Sequence, residues 1–199
     1  MSIIEHTPLY PSPSTPPIMA SVERKAVETV AGLMALSART APKGKGQDAL
    51  VIRVLVGDEL KGLARGMDAL GTDRGIKFFL RDGRNVADSD ACLLIGSQRE
   101  PTAGLDCGAC GFATCAEMLM EDPAKRKTLY GGPNCAVRMA DLGIAIGSAV
   151  KTASVHNVDN RVMFSAGATA LALGLLEDCT VGYGIPLSAS GKSIFFDRK

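Results

Sequence analysis

Residues 107–115 read CGACGFATC, so three of the chain's six cysteines fall within nine positions. Two residues separate Cys107 from Cys110, four separate Cys110 from Cys115, and Cys135 follows after nineteen more: C-x2-C-x4-C-x19-C. Thiols so spaced suit a disulfide, a zinc ion, an iron–sulfur cluster or a redox thiol pair. A cubane cluster needs four thiolates pointing inward around a compact inorganic core. A short loop supplying three of them must curl tightly. Gly108 and Gly111 each directly follow a cysteine, where positive φ and a missing side chain help. FATCAEMLME (112–121) reads as helical, with Cys115 on its first turn, and Gly131, Gly132 and Pro133 introduce Cys135 from a distant segment. Four-cysteine zinc sites usually come as two CxxC knuckles, and only one CxxC stands here. A thioredoxin-like pair leaves Cys115 and Cys135 without a role, and disulfides need an oxidising compartment. The spacing favours one [4Fe–4S] cluster on Cys107, Cys110, Cys115 and Cys135, with structural zinc kept as the alternative. Cys92 and Cys179 lie in apolar, strand-like contexts and read as small core residues.

A second candidate is the turn from Arg39 to Gln47, RTAPKGKGQ, which joins basic side chains to flexible backbone at a helix end. Arg39, Lys43, Lys45 and Gln47 could hold a flavin or nucleotide phosphate; the plainer reading is a solvated basic turn. SGKS (190–193) ends like a phosphate-binding loop, but Pro186 stands where that pattern needs Gly. His156 closes a small-residue helix and reads as structural. No second His or carboxylate pair at a recognisable spacing supports hydrolysis.

Composition narrows the classes. With 22 basic and 21 acidic residues the net charge is +1, so no concentrated basic face is indicated for nucleic acid. Aromatic residues make up 5% and Trp is absent, which also argues against base-stacking platforms. The longest charge-free stretches near the C-terminus, 162–176 and 180–191, are too short to span a membrane. No basic-then-apolar leader opens the chain, so a cytoplasmic, reducing compartment is the default expectation.

The elements that must position these residues follow from periodicity. Residues 1–20 hold five of the ten prolines and are expected to form an extended arm with Ile3, Ile4, Leu9 and Tyr10 as apolar anchors. A helix is expected from Ser21 as N-cap, with Val22, Ala26, Val30, Leu33 and Ser37 on one stripe and Val27 and Met34 widening it. Strands are expected at 49–56, 91–97 and 179–185. Helices are expected at 58–70 (capped by Asp58), 78–90, 135–156 and 159–175, and KSIFFDR as an extended tail. The order indicates an α+β fold, a three-layer α/β/α arrangement: a first part at 21–104, the cysteine segment at 105–135, and a second part at 136–199.

The cysteine pattern resembles the single-cluster [4Fe–4S] domain with C-x2-C-G-x3-C and a distant fourth Cys. That domain occurs in membrane electron-transport complexes and in a corrinoid acetyl-CoA synthase/decarbonylase subunit. The matching residues are Cys107, Cys110, Gly111, Cys115 and Cys135. LMALSARTAPKGKGQD, LDCGACGFATC, DLGIAIGSAVKTASVHNVDNRVM and GIPLSASGKSIFFDR resemble a family of uncharacterised ferredoxin-domain-containing proteins of anaerobic bacteria and archaea. That resemblance implies a cluster and an architecture, and no particular substrate. The helix, ARTAPKGKGQ, a strand and ELKGLA resemble the opening of the FMN-dependent nitroreductase family, whose A-P-S-x-x-N-x-Q loop contributes to flavin binding. Here Lys43 replaces the serine and no asparagine stands near Gln47. The resemblance implies a nitroreductase-like scaffold with an inserted ferredoxin-type loop, a homodimer, and FMN as an optional second cofactor. The functions this leaves are an electron-transfer protein or oxidoreductase with an unidentified redox partner, or a flavin-free cluster module for structure or redox sensing.

Overall fold

The computed structural model describes residues 17–123 and 128–196. Four antiparallel strands, β1 (Leu50–Val56), β2 (Ala91–Gln98), β3 (Asp159–Asn160) and β4 (Cys179–Ser188), form one sheet in the order β1-β2-β4-β3. Side chains alternate across it. Ala91, Leu93 and Ile95 pack against helices α1 (Pro17–Thr40) and α5 (Ala136–Val155). Cys92 and Leu94 pack against α2 (Gly57–Arg74) and α6 (Phe164–Ala172) on the other face. The helix α3 (Lys77–Ala87) lies against α2, where Gly83 lets the two approach: a Cβ there would stand 2.7 Å from Asp68 Oδ1. The result is the expected three-layer sandwich. Each fully buried Leu or Ile contributes about 1.5–3 kcal/mol.

Several boundaries differ from the periodicity reading. The helix α1 begins at Pro17 rather than after Ser21, since Pro is pre-organised for a first helical turn. The last four residues of the expected arm are therefore helical; the rest of the arm and its four apolar anchors lie outside the described residues. The buried stripe of α1 is Val27, Val30, Ala31, Met34 and Ala38, whereas Val22, Ala26 and Leu33 are exposed. The alanines of α5 set this face: Ala145, Ala149 and Ala153 join the α1 stripe in one core, and Ser37 and Thr152 share a 2.7 Å hydrogen bond beside it. Val56, not Asp58, precedes the first turn of α2, which runs on to Arg74 and is closed by Gly75 at φ 66°. Residues 194–196 form a 3₁₀ turn that buries Phe195, where an extended tail was expected.

Pro186 sits inside β4. Gly184 N–H donates to Met163 O, so the amide positions of 184 and 186 face away from β2. The ladder on that side breaks between Asn160 and Met163, and no N–H is needed there. Among the described residues, no helix is long and apolar enough to cross a membrane.

Candidate functional site

The cysteine segment leaves the end of β2 and returns to the start of α5. Its backbone turns sharply: Gly104, Asp106, Gly108 and Gly111 have φ of 60°, 45°, 72° and 89°. Gly108 and Gly111 thus adopt the left-handed conformation that glycine allows, and Gly111 N–H donates to Gly108 O at 2.9 Å across Cys110. The carboxylate of Asp106 accepts from Cys115 N–H at 2.7 Å and ties the two ends of the loop. Cys115 is the first residue of α4 (Cys115–Met120). That helix is capped by Thr114, whose Oγ1 accepts from Glu117 N–H at 3.2 Å, while Glu117 Oε2 accepts from Ala113 N–H at 3.1 Å.

Two arginines frame the segment. Arg99, just past β2, donates from Nη2 to Met118 O at 2.5 Å and from Nη1 to Leu119 O at 3.0 Å. Its Nε donates to Pro133 O at 3.2 Å. It joins the end of α4 to the stretch that delivers Cys135. Arg138, in the first turn of α5, is only 1% exposed. Its Nε donates to Pro101 O at 3.0 Å and its Nη2 to Thr102 O at 3.2 Å, holding the root of the segment. The same side chain donates to Gly44 O, Gln47 O and Gln47 Oε1, and pairs with Asp141 at 2.9 Å. Asp141 accepts in turn from Gly44 N–H at 2.8 Å.

The thiols are distributed unevenly. Cys135, the N-cap of α5, is buried with Ala103 and Met118, and Cys110, Phe112, Leu119 and Val137 pack around that group. Cys115 is half-buried and Cys107 exposed. Burial pushes the Cys135 thiol up. Backbone N–H groups of Ala103, Arg138 and Val137, with the Arg138 charge, more than offset this and bring it below its ordinary value. Among the described residues, no three His, Cys, Asp or Glu side chains form a group that could hold a metal ion. A cavity of ≈ 540 Å³ opens beside Cys110, lined also by Phe112, Tyr130, Gly131, Gly132 and Pro133. Tyr130 donates its hydroxyl to Gly182 O and stacks edge-on to Phe164.

The remaining cysteines lie apart. Burial raises Cys92 to about 12 and Cys179 to about 11; Cys92 sits in the core beneath α2 and α6, and half-buried Cys179 packs against its edge.

The basic turn is built into the frame. Lys43 Nζ donates to the carbonyls of Ala38, Arg39 and Ala41 and so caps the end of α1. Arg39 pairs with Asp48 at 2.5 Å and donates to Leu50 O. Gln47 accepts from Arg138. Lys45, at φ 58°, is exposed and directs Nζ toward Gly104. Through Arg138 this turn and the cysteine segment share one support. Sequence reasoning missed Arg99, Arg138 and Asp141. The signals present were an Arg and an Asp three residues apart after Cys135, and the Thr-x-x-Glu capping pattern at 114–117. His156 is the exposed C-cap of α5.

The scaffold is of the nitroreductase type. Solved structures that match include a nitroreductase family protein from Clostridium novyi NT (TM-score 0.53, 15% identity, 85% of this chain and 76% of that one). A nitroreductase with bound FMN from Desulfitobacterium hafniense matches at TM-score 0.51 and 14% identity, over 83% of this chain and 79% of that one. B. megaterium NfrA1 matches at TM-score 0.51 and 14% identity, over 86% of this chain but only 61% of its own. At such identities the likeness defines the fold alone.

The family follows from sequence. The family described as "Uncharacterized protein containing a ferredoxin domain (DUF2148)" matches residues 131–198, a range that includes Cys135 but not Cys107, Cys110 or Cys115. An "Uncharacterized protein" of Archaeoglobus fulgidus is 44% identical over 176 residues, 88% of this chain and 94% of the relative. The chain belongs to this ferredoxin-domain family.

Proposed function

We propose that the protein is an iron–sulfur redox protein in which Cys107, Cys110, Cys115 and Cys135 hold one [4Fe–4S] cluster. Bound there, such a cluster relays single electrons. The observation that carries the reading is the return of Cys135 to the loop: it is buried in the same apolar group against which Cys110 and Phe112 pack. The donor set, four thiols, suits a polythiolate group in kind; Cys110 and Cys135 share one packed group, and Cys107 and Cys115 would have to close on them. Left-handed turns follow Cys107 and Cys110 directly, and three backbone N–H groups stabilise negative charge on Cys135. Phe112, Leu119 and Val137 would keep water from the sulfur atoms, and Arg99 and Arg138 hold the two ends of the segment.

Anaerobic purification with iron and acid-labile sulfide quantitation tests this. About four of each per chain are expected. Cys110→Ser should lose iron and visible absorbance, while Cys92→Ala and Cys179→Ala should keep them. Zinc without sulfide, or full iron in Cys110→Ser, would sink the reading.

The flavin-free form of this reading is favoured over one with FMN. The ammonium of Lys43 is engaged by three carbonyls, and Arg39 and Gln47 have protein partners. Denaturation of native protein should release no yellow component; a stoichiometric flavin would restore the oxidoreductase reading, with the turn at Arg39, Lys43, Lys45 and Gln47 as its phosphate site. A homodimer in the cytoplasm belongs to the same proposal, supported by the exposed apolar side chains of Val22, Leu33 and Leu36 on α1. A monomeric mass in light scattering would remove the dimer.

A further inference from the structure

Among the described residues, the deepest charged side chain is that of Arg138, three residues from Cys135. Cys135 is the N-cap of α5, Arg138 follows three residues later as its neighbour across the first turn, and Asp141 is in turn the i+3 neighbour of Arg138. With a rise of about 1.5 Å per residue, Arg138 lies about 4.5 Å and Asp141 about 9 Å beyond Cys135 along the axis. The Arg138–Asp141 pair is 2.9 Å apart and almost wholly buried, and it is the Arg138 charge, not that of Asp141, that bears on the Cys135 thiol. Two other cations border the segment, Arg99 through its bonds to Met118 O, Leu119 O and Pro133 O, and exposed Lys45 near Gly104, but neither is as deeply buried. Residues 100–123 contain Glu100, Asp106, Glu117, Glu121 and Asp122 and no lysine or arginine. Arg138 also anchors the root of the segment through Pro101 O and Thr102 O, as well as the turn at Gly44 and Gln47. A side chain needed only to fill space would not make all these bonds.

We infer that the Arg138–Asp141 pair is a positioning element for the cysteine site: it fixes Cys135 against the segment's root and raises the reduction potential of the group held there. The second half rests on the function proposed above; the first does not. Accepting an electron adds negative charge beside Cys135. A nearby cation favours that state and a more distant carboxylate disfavours it less, so the pair as a whole raises the potential.

Two measurements test this. The first uses apo protein. In Arg138→Gln/Asp141→Asn, which removes both charges together and leaves no buried ion unpaired, amide hydrogen exchange at residues 102–107 should be about tenfold faster or more, with α2 and α6 unchanged. Unchanged exchange in the segment would overturn the positioning role. The second measures the midpoint potential and electron paramagnetic resonance of loaded protein. Asp141→Asn, which leaves the cation alone, should raise the potential. The double variant should fall below wild type, and Arg138→Lys should stay near it. Equal potentials in Asp141→Asn and the double variant would overturn the electrostatic role. A wild-type protein that binds no iron would defeat the proposed function itself, and the exchange measurement would still decide whether Arg138 holds the segment.

Discussion

In the sandwich frame, Leu93 and Ile95 on one face of β2 and Cys92 and Leu94 on the other are fully buried among apolar neighbours. Among the described residues of the cysteine segment, only Ala103, Met118 and Cys135 form a buried group. Its shape comes instead from Arg99, Arg138, Asp106 and Thr114, each bonded to backbone, and from turns at positive φ. The same functional group is pushed in opposite directions by the two settings. The Cys92 thiol is raised by desolvation, while the Cys135 thiol is lowered by directed N–H groups and a cation. The apolar layers around Cys92 disfavour charge on its sulfur, whereas the groups around Cys135 favour it. That contrast supports the role proposed for the segment.

The sharpest way to break the comparison is alkaline titration of the frame. Below pH 9 the Cys92 thiol is protonated whether the chain is folded or not. Above its ordinary value of 9.0 the unfolded chain loses this proton, whereas the folded chain keeps it until about 12. Stability therefore falls with rising pH across that window, by about 1.4 kcal/mol per pH unit and about 4 kcal/mol in all. Urea unfolding of wild type and Cys92→Ala at pH 8, 10 and 11 should show a steeper loss in wild type. Parallel slopes would mean that Cys92 is not desolvated as described.

A somewhat smaller effect is expected where α6 meets β4. A Cβ on Gly167 would stand 1.9 Å from Gly182 O and 2.5 Å from Tyr183 Cα, backbone atoms that have no room to yield. Gly167→Ala should cost about 3 kcal/mol, the upper range for overpacking, and act on the whole frame. If thermal unfolding of Gly167→Ala matched wild type, the close packing of helix on sheet would be wrong.

The two regions were also unequally legible. The helices and strands of the frame announce themselves by period, because each buries one face and the layers repeat the same rule. What period could not supply was the choice of face on α1. Val27, Ala31 and Ala38 lie inward because they meet the small side chains of α5, and nothing local distinguishes them from Val22 or Leu33. The cysteine segment has no period, and only its motif shows. Gly108 and Gly111 could be assigned positive φ because Gly follows each Cys. Asp106, at φ 45°, gave no such sign. The framing role of Arg99 and Arg138 was invisible for a different reason: their acceptors are carbonyls of Pro101, Thr102, Met118, Leu119 and Pro133, and every residue type carries one. The Thr114–Glu117 pair did leave a local signal, the Thr-x-x-Glu pattern, which the reading of the sequence did not use.

That pair gives the smallest and most local effect. Thr114 Oγ1 accepts from Glu117 N–H, one of the N–H groups that a helix start leaves without an intrahelical acceptor. Loss of such a cap costs about 1 kcal/mol. The helix α4 is six residues long and its apolar contact is chiefly Met118, so the loss should appear as local opening rather than lower global stability. Thr114→Ala should speed amide exchange at residues 115–120 about fivefold while leaving the unfolding midpoint of the frame within about 1 °C, and Thr114→Ser should restore protection because its hydroxyl occupies the same position. A fall in the global midpoint instead would mean that α4 and the frame unfold as one unit. The segment would then be a structural part of the sandwich, and the division between an apolar frame and a polar, separately braced site would not hold.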